Sequence, residues 1–340
     1  MKNVTIYDIA KALNVNPSTV NRALNGKNGV GEALRARIAS YASAAGYHIN
    51  PAAKSLNRQL KIGLVMQHSI RAFEDQLLEG IDAAFTELEA MNVTLEKRVV
   101  KTREEYEHTC AEFCAEGFNA VLLQPLRQSD MTEIFQAFDK ESISVCTIVS
   151  DVPQAKRLFS IHLDGKTTGC IAAELLYRFT RGANAVVFTG DTDIPIHEEI
   201  LRGFQVFAQG RFDITSVYTD SAKPDIARRN VKSVLAEYDD FGSVFVSTAN
   251  SVPICEEIAA SGRSIQVIAM DVFDEVVQYL RRGVISALLY QQPRYQGYMA
   301  LWNMVKYLDG YLAPRNEIIQ PQIVMQSNLG SFWRGEKEQS

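Results

Sequence analysis

No run of about 18 apolar residues occurs anywhere in the 340-residue sequence, so nothing in it reads as a membrane-spanning helix. The opening MKNVTIYDIA lacks the apolar stretch of a secretory signal peptide. Cysteine is scarce and odd in number: Cys110, Cys114, Cys146, Cys170 and Cys255. Cys110 and Cys114 stand one helical turn apart, but no second pair completes a metal site, and the set reads as buried free thiols. The five histidines (His48, His68, His108, His162, His197) show no metal-ligand spacing either. No Gly-x-Gly-x-x-Gly or Walker-type loop follows an apolar segment, and no Gly-x-Ser-x-Gly elbow is present. The lone glycine of VVFTGDTD is weak evidence for phosphate binding. These absences exclude the common nucleotide, hydrolase and metal chemistries, and the expectation is a cytoplasmic protein that is no enzyme and needs no cofactor. The tail GSFWRGEKEQS has no leucine heptads, which excludes a coiled-coil tetramer.

What is present is ordinary globular composition, 46% hydrophobic and 22% charged, with an uneven charge distribution. Residues 1–60 hold eight Lys or Arg against two acids, about +6, which leaves about −11 on the remainder for the net −5. A basic head on an acidic body suggests that only the head meets a polyanion.

The head has a pattern to match. Thr5 and Asp8 have the form of a capping box, and Ile6, Ile9, Ala10 and Leu13 then recur at helical spacing. Asn14 and Val15 interrupt the pattern. Asn16 offers an N-cap, and Pro17 takes the first helical position, where its missing N–H is harmless. Val20, Ala23 and Leu24 form one stripe of the second helix, Ser18, Thr19, Asn21, Arg22 and Asn25 its other faces, and Gly26 closes it. A third helix over residues 32–45 turns Leu34, Ile38, Tyr41 and Ala42 inward. Two short helices with a three-residue turn and a polar, Arg-bearing second helix fit a helix-turn-helix. Arg22 suits a guanine edge or a phosphate, and Ser18 can bond a base where Pro17 cannot donate.

From Lys61 onward, apolar runs alternate with helical stretches. KIGLVM (61–66), VTLEKRVV (93–100), NAVLLQ (119–124) and ISVCTIV (143–149) read as strands. The beat resumes in LFSIHL (158–163), NAVVFTG (184–190), DITSVY (213–218), SVFVST (243–248), IQVIAM (265–270) and ISALLY (285–290). Val, Ile and Leu-rich strands with helices between them indicate parallel sheets covered on both faces. Ten strands exceed one compact sheet, so two similar lobes are expected, with ligands outside the carboxyl ends of the strands. Candidates there are Ser69, Phe73, Gln124 and Asp151 in the first half, and His197, Asn250, Asp271 and Gln291 in the second. Hydroxyl, amide, carboxylate and aromatic groups together suit a neutral polyhydroxylated ligand. Asp151, Asn250 and Asp271 each precede a helix start, so capping explains them equally well one at a time.

VTIYDIAKALNVNPSTVNRALNG (4–26) followed by AGYHINPAAKSL (45–56) resembles the DNA-binding head and hinge of the lactose/galactose repressor (LacI/GalR) family. The resemblance extends over essentially the whole chain. It implies an N-terminal three-helix head over 1–47 and a hinge over 48–60. The α/β core over 61–330 would resemble periplasmic binding proteins, with two doubly wound lobes (about 61–160 with 292–320, and 161–291 with 321–330) ahead of a tail over 331–340. By the same resemblance, Thr5, Tyr7, Asn16, Pro17, Ser18, Thr19, Asn21, Arg22 and Asn25 face DNA. In the hinge, Asn50, Ala53, Lys54 and Leu56 join them, Leu56 as an apolar wedge that unstacks a minor-groove step when a dimer sits on its operator.

The core resembles the sugar-binding domain of ribose-type binding proteins. STANS (247–251) matches its Asn loop at Asn250, IAMD (268–271) its ligand-binding Asp at Asp271, and LLYQQPRYQG (288–297) its Gln-Gln-Pro segment at Gln291. Several positions depart from the family pattern. Asn16 and Asn21 replace serines, Lys54 an arginine and Gly31 a serine. Ser251 stands where an Asp is common, and Ile200 where a ligand-binding Arg is common, a role that His197 could share. The implied protein is a homodimeric regulator, most often a repressor in this family, that binds near-palindromic operator DNA and a sugar or polyol. A purine or nucleoside effector is the variant within that class. A solute-binding protein or a constitutive architectural DNA-binder are the rivals outside it.

Overall fold

The computed structural model describes residues 4–24, 29–45, 59–127, 131–219 and 223–333. Among the sequence-predicted site residues, Asn25, Asn50, Ala53, Lys54 and Leu56 lie outside these. The chain divides into two units, residues 1–57 and 58–340.

In the first unit, α1 (Ile6–Leu13) starts at the expected capping box. Thr5 Oγ1 accepts from the Asp8 N–H at 3.3 Å, and the Asp8 carboxylate accepts from the Thr5 N–H at 2.8 Å. Asn14, in the left-handed region at φ 55°, stops the helix. α2 (Pro17–Leu24) begins at the proline, with the Asn16 carbonyl accepting from the Thr19 and Val20 N–H groups. Arg35 on α3 (Glu32–Ala44) donates to the Ala23 carbonyl at 3.1 Å, satisfying a carbonyl that the end of α2 leaves open. Ile9, Ala10, Val20, Ala23, Ile38 and Ala42 form the buried core. Tyr41, expected inward, is instead 39% exposed: the buried stripe of α3 runs through Ile38 and Ala42, and Tyr41 lies off it.

The second unit holds all ten expected strands: β1 (Leu60–Gln67), β2 (Val93–Val100), β3 (Ala120–Leu123), β4 (Ser144–Val149), β5 (Phe159–Leu163), β6 (Asn184–Phe188), β7 (Ile214–Tyr218), β8 (Phe241–Val246), β9 (Gln266–Met270) and β10 (Ile285–Tyr290). Two three-residue strands escaped the sequence reading, β11 (Glu317–Ile319) and β12 (Gln322–Val324). They fall into two six-stranded sheets, ordered β2-β1-β3-β4-β5-β11 and β7-β6-β8-β9-β10-β12. All pairs are parallel except β10 with β12. The chain crosses between sheets after β5, β10 and β11. The first crossing follows Leu163, three residues beyond the expected boundary, because β5 lies in the first sheet between β4 and β11.

The helices of the first lobe are α4 (Arg71–Glu87), α5 (Arg103–Ala115), α6 (Thr132–Lys140) and the returning α12 (Pro293–Leu308). Those of the second are α7 (Gly165–Thr180), α8 (Pro195–Ala208), α9 (Pro224–Glu237), α10 (Val252–Ser261) and α11 (Asp274–Arg281). Each sheet has an apolar cluster on both faces, which is why its strands read as unbroken apolar runs. β2 is the exception: an edge strand, it reads VTLEKRVV and is mostly solvated.

Each lobe locks one helix pair by backbone contact. A Cβ on Gly80 of α4 would stand 1.9 Å from the Arg294 carbonyl oxygen of α12, and a Cβ on Gly169 of α7 would stand 1.9 Å from the Ile200 carbonyl oxygen of α8. Neither backbone can yield without moving a whole helix. Gly80→Ala is therefore expected to destabilise the protein by about 2 kcal/mol or more, read as a fall in the urea midpoint. An unchanged midpoint would show that the helices part freely.

Candidate functional site

On the head, the side chains expected to face DNA stand on the surface. Thr5, Asn16, Ser18, Asn21 and Arg22 are exposed, Pro17 and Thr19 half-buried, and Tyr7 is 73% exposed. Val20 and Ala23 bury the opposite face of α2, so packing holds the polar face outward.

In the second unit the site forms where strands end. At the ends of the neighbouring strands β9 and β10, Asp271 Oδ2 accepts from Gln291 Nε2 at 2.8 Å, and Oδ1 from the Gln291 N–H at 3.4 Å. Asp271 holds φ 66°, left-handed backbone that Asp tolerates better than most residues. It is 1% exposed, and burial pushes its carboxyl up to about 7, against the two bonds from Gln291 that favour the charged form. Asn250, at the end of the adjacent β8, is buried, and its N–H meets Thr248 Oγ1 at 3.3 Å. The buried Ser251 hydroxyl has no hydrogen-bond partner within the protein. His197 in the first turn of α8 lies against Gly190, with its Nδ1 buried and bonded to nothing in the protein. Burial pulls its pKa down to about 4, so the ring is neutral near pH 7, although the Asp191 charge acts in the other direction.

The first lobe brings Ser69 and Gln124 to the ends of the adjacent strands β1 and β3. Ser69 is exposed, and its N–H is held by the buried Glu74, which also meets His68 Nδ1 at 3.0 Å. Gln124 keeps a buried side-chain oxygen with no protein partner. Two expected residues are occupied elsewhere. Phe73, expected as a stacking ring, is only 4% exposed and sits in the first lobe's core. Asp151, also buried, accepts from Thr147 Oγ1 and the Val152 N–H, both at 2.8 Å, and pairs with Arg157 at 2.5 Å. Its carboxylate is spent inside the lobe.

Sequence reading missed the groups that join the lobes. Arg127, after β3, meets Asp191, after β6, at 2.7 Å through Nε and 2.5 Å through Nη2. Ser150 Oγ accepts from the Ile196 N–H of α8 at 3.2 Å. The residue before it, Val149, has φ 69°, and the Ser150 N–H reaches back to the Ile148 carbonyl at 2.7 Å, a γ-turn of the rare strained kind. A β-branched residue held there costs on the order of 1–3 kcal/mol and persists where surroundings over-determine it. On the far side, Gln76 of α4 donates to the Val272 carbonyl at 2.8 Å and accepts from Tyr290 Oη at 3.1 Å. A polar side chain in a loop or on a helix surface has no periodic signature of its partner, so no sequence signal marked these cross-lobe pairs.

Among the described residues no group of three or more His, Cys, Asp or Glu side chains is placed to hold a metal ion, and no helix is long and apolar enough to cross a membrane. The model for bacterial regulatory proteins of the lacI family matches residues 5–50, and that for a periplasmic binding protein domain matches residues 62–312. The chain belongs to the lacI family. As a lacI-family protein it is a DNA-binding transcriptional regulator, of a non-enzymatic family, with a periplasmic-binding-protein-like effector domain. It is 23% identical over 252 residues to the HTH-type transcriptional regulator pepR1 of Lactobacillus delbrueckii subsp. lactis, an alignment that covers 70% of this chain and 73% of that one. In fold it is similar to GanP, a glucose-galactose binding protein from Geobacillus stearothermophilus, with TM-score 0.74, 19% identity, and 80% and 99% of the two chains covered. It is also similar to a LacI transcriptional regulator from Bacteroides fragilis, with TM-score 0.74, 15% identity, and 81% and 100% covered.

The buried Asp271 gives this regulator a pH signature. Between pH 5 and 7 the folded protein keeps a proton that the unfolded chain has lost, so this contribution is present at low pH and lost as pH rises through about 7. Relative to Asp271→Asn, which carries no such proton, the wild type should gain about 2–3 kcal/mol of stability between pH 8 and pH 5. Denaturant melts of both proteins at each pH measure it, and a constant difference would mean that Asp271 titrates normally.

Proposed function

We propose that this regulator is a repressor whose operator affinity is set by an uncharged carbohydrate or polyol bound between its two lobes. The observation that supports the reading is the cluster at the second lobe's strand ends. There the coupled Asp271–Gln291 pair and Asn250 offer acceptors and donors in a buried setting, while Ser69 and Gln124 stand at strand ends of the other lobe. A hydroxyl both donates and accepts, so a polyol can satisfy a carboxylate and an amide at once. With Phe73 buried in the core, the nucleoside reading loses its stacking ring. The lacI-family head argues against a solute-binding protein serving transport.

The regulator acts as a homodimer in the cytoplasm, its two heads reading the halves of a near-palindromic operator. An effector can act only through different affinity for two lobe arrangements. Lobe closure changes the spacing of the paired hinge segments, so effector binding releases the operator. Sedimentation showing a stable monomer at micromolar concentration would remove the dimer from this scheme.

Thermal-shift screening against sugars, polyols, sugar phosphates and nucleosides tests the effector class, because binding to the native state raises the melting temperature. A neutral sugar or polyol should stabilise the protein and then release operator DNA; stabilisation by no compound of the panel would favour a constitutive DNA-binder. Leu56→Ala should weaken operator binding and leave effector binding intact, as measured by operator titration and the same thermal shift. Unchanged operator affinity would remove the wedge role of the hinge.

A further inference from the structure

One arginine of the first lobe reaches across to the second, and it is paired with a carboxylate there. Arg127 meets Asp191 of the opposite lobe at 2.5 and 2.7 Å, with the Asp193 carboxylate 4.0 Å from Nε. Asp191 is in turn fixed, since its Oδ1 accepts from the Asp193 N–H at 3.0 Å. Partial burial alone would push the Asp191 carboxyl up, but the bonds from Asp193 and Arg127 prevail and hold it below the usual carboxylate range. Within the first lobe, Arg157 pairs through Nη2 with the buried Asp151 at 2.5 Å, while its buried Nε has no partner in the protein. Position 200, where the family resemblance would put a ligand-binding arginine, is an isoleucine, 2% exposed, in the second lobe's core. His197 is neutral near pH 7.

We propose that the Arg127–Asp191 pair sets the charge selectivity of the effector site: it ties the guanidinium that an anionic ligand would need into a bond between the lobes, so that the site takes neutral polyols and rejects phosphorylated or carboxylated sugars. This rests on the reading of the cleft as the effector site. A phosphate entering between the lobes meets a guanidinium whose charge is already balanced, with the Asp191 and Asp193 carboxylates beside it. Recruiting Arg127 would also break a contact that joins the lobes, so an anion works against the closure that a neutral ligand can use. A hydroxyl makes no such demand.

The test compares wild type, Asp191→Asn and the double variant Arg127→Gln/Asp191→Asn at low ionic strength, where screening is weakest. Inorganic phosphate is the probe, read by calorimetry and thermal shift. The basic head is common to all three proteins, so its own affinity for phosphate cancels. Asp191→Asn should bind phosphate about tenfold more tightly than wild type, and the double variant should lose that gain. Equal phosphate binding by wild type and Asp191→Asn, with both melting cooperatively, would overturn the proposal, as would a gain that survives in the double variant. Neutral sugars titrated into the wild type test the underlying reading separately. A wild type that binds none of them, beside an Asp191→Asn that still gains phosphate, would reject the polyol effector and leave the assignment of Arg127 standing.

Discussion

A parallel sheet must be covered on both faces, because its strands are linked by helices that return across it. In this regulator that constraint operates twice, and it decides where chemistry can occur. With both faces of each sheet sealed by apolar clusters, polar side chains gather at the strand ends. There Asp271, Gln291 and Asn250 emerge on one lobe, Ser69 and Gln124 on the other. The glycine contacts at Gly80 and Gly169 hold a helix pair in close backbone contact in each lobe.

Several charges of the second unit are paired within the protein: Asp151 with Arg157 inside the first lobe, and Asp191 with Arg127 between the lobes. Asp271 goes the other way: it is buried against an amide rather than a cation, and burial favours its neutral form. A carboxyl poised near neutrality can donate or accept as a ligand hydroxyl requires. The strained turn at Val149 is part of the same economy, since it aims Ser150 at the Ile196 N–H of the opposite lobe.

The fold class, the helix-turn-helix pattern and every long strand were legible in the sequence, and the reasons are local. Thr5 with Asp8 and Asn16 with Pro17 mark helix starts through bonds within one turn. The apolar runs mark strands buried on both faces. Asp271 and Gln291 could be named because each follows such a run in a short motif. The misses share the opposite character. β11 and β12, three residues each, are too short for periodicity to mark. Tyr41 looked inward on a helical wheel, but the core is closed by Ile38 and Ala42 of the same helix and Tyr41 faces solvent in part.

By itself the sequence determined which segments are helix and strand, that a basic head precedes an α/β body, and which strand ends carry polar groups. These follow from period, capping and composition, all of which act within a few residues. Only the tertiary structure decided what those polar groups do. It buried Phe73, spent Asp151 on Arg157, joined Arg127 to Asp191 across the lobes, and placed Asp271 beside Gln291 out of reach of water. Each of these depends on partners between 6 and 64 positions apart, apart from the core packing of Phe73. Burial and pairing at such range are properties of the packed chain, and no short window of sequence contains them.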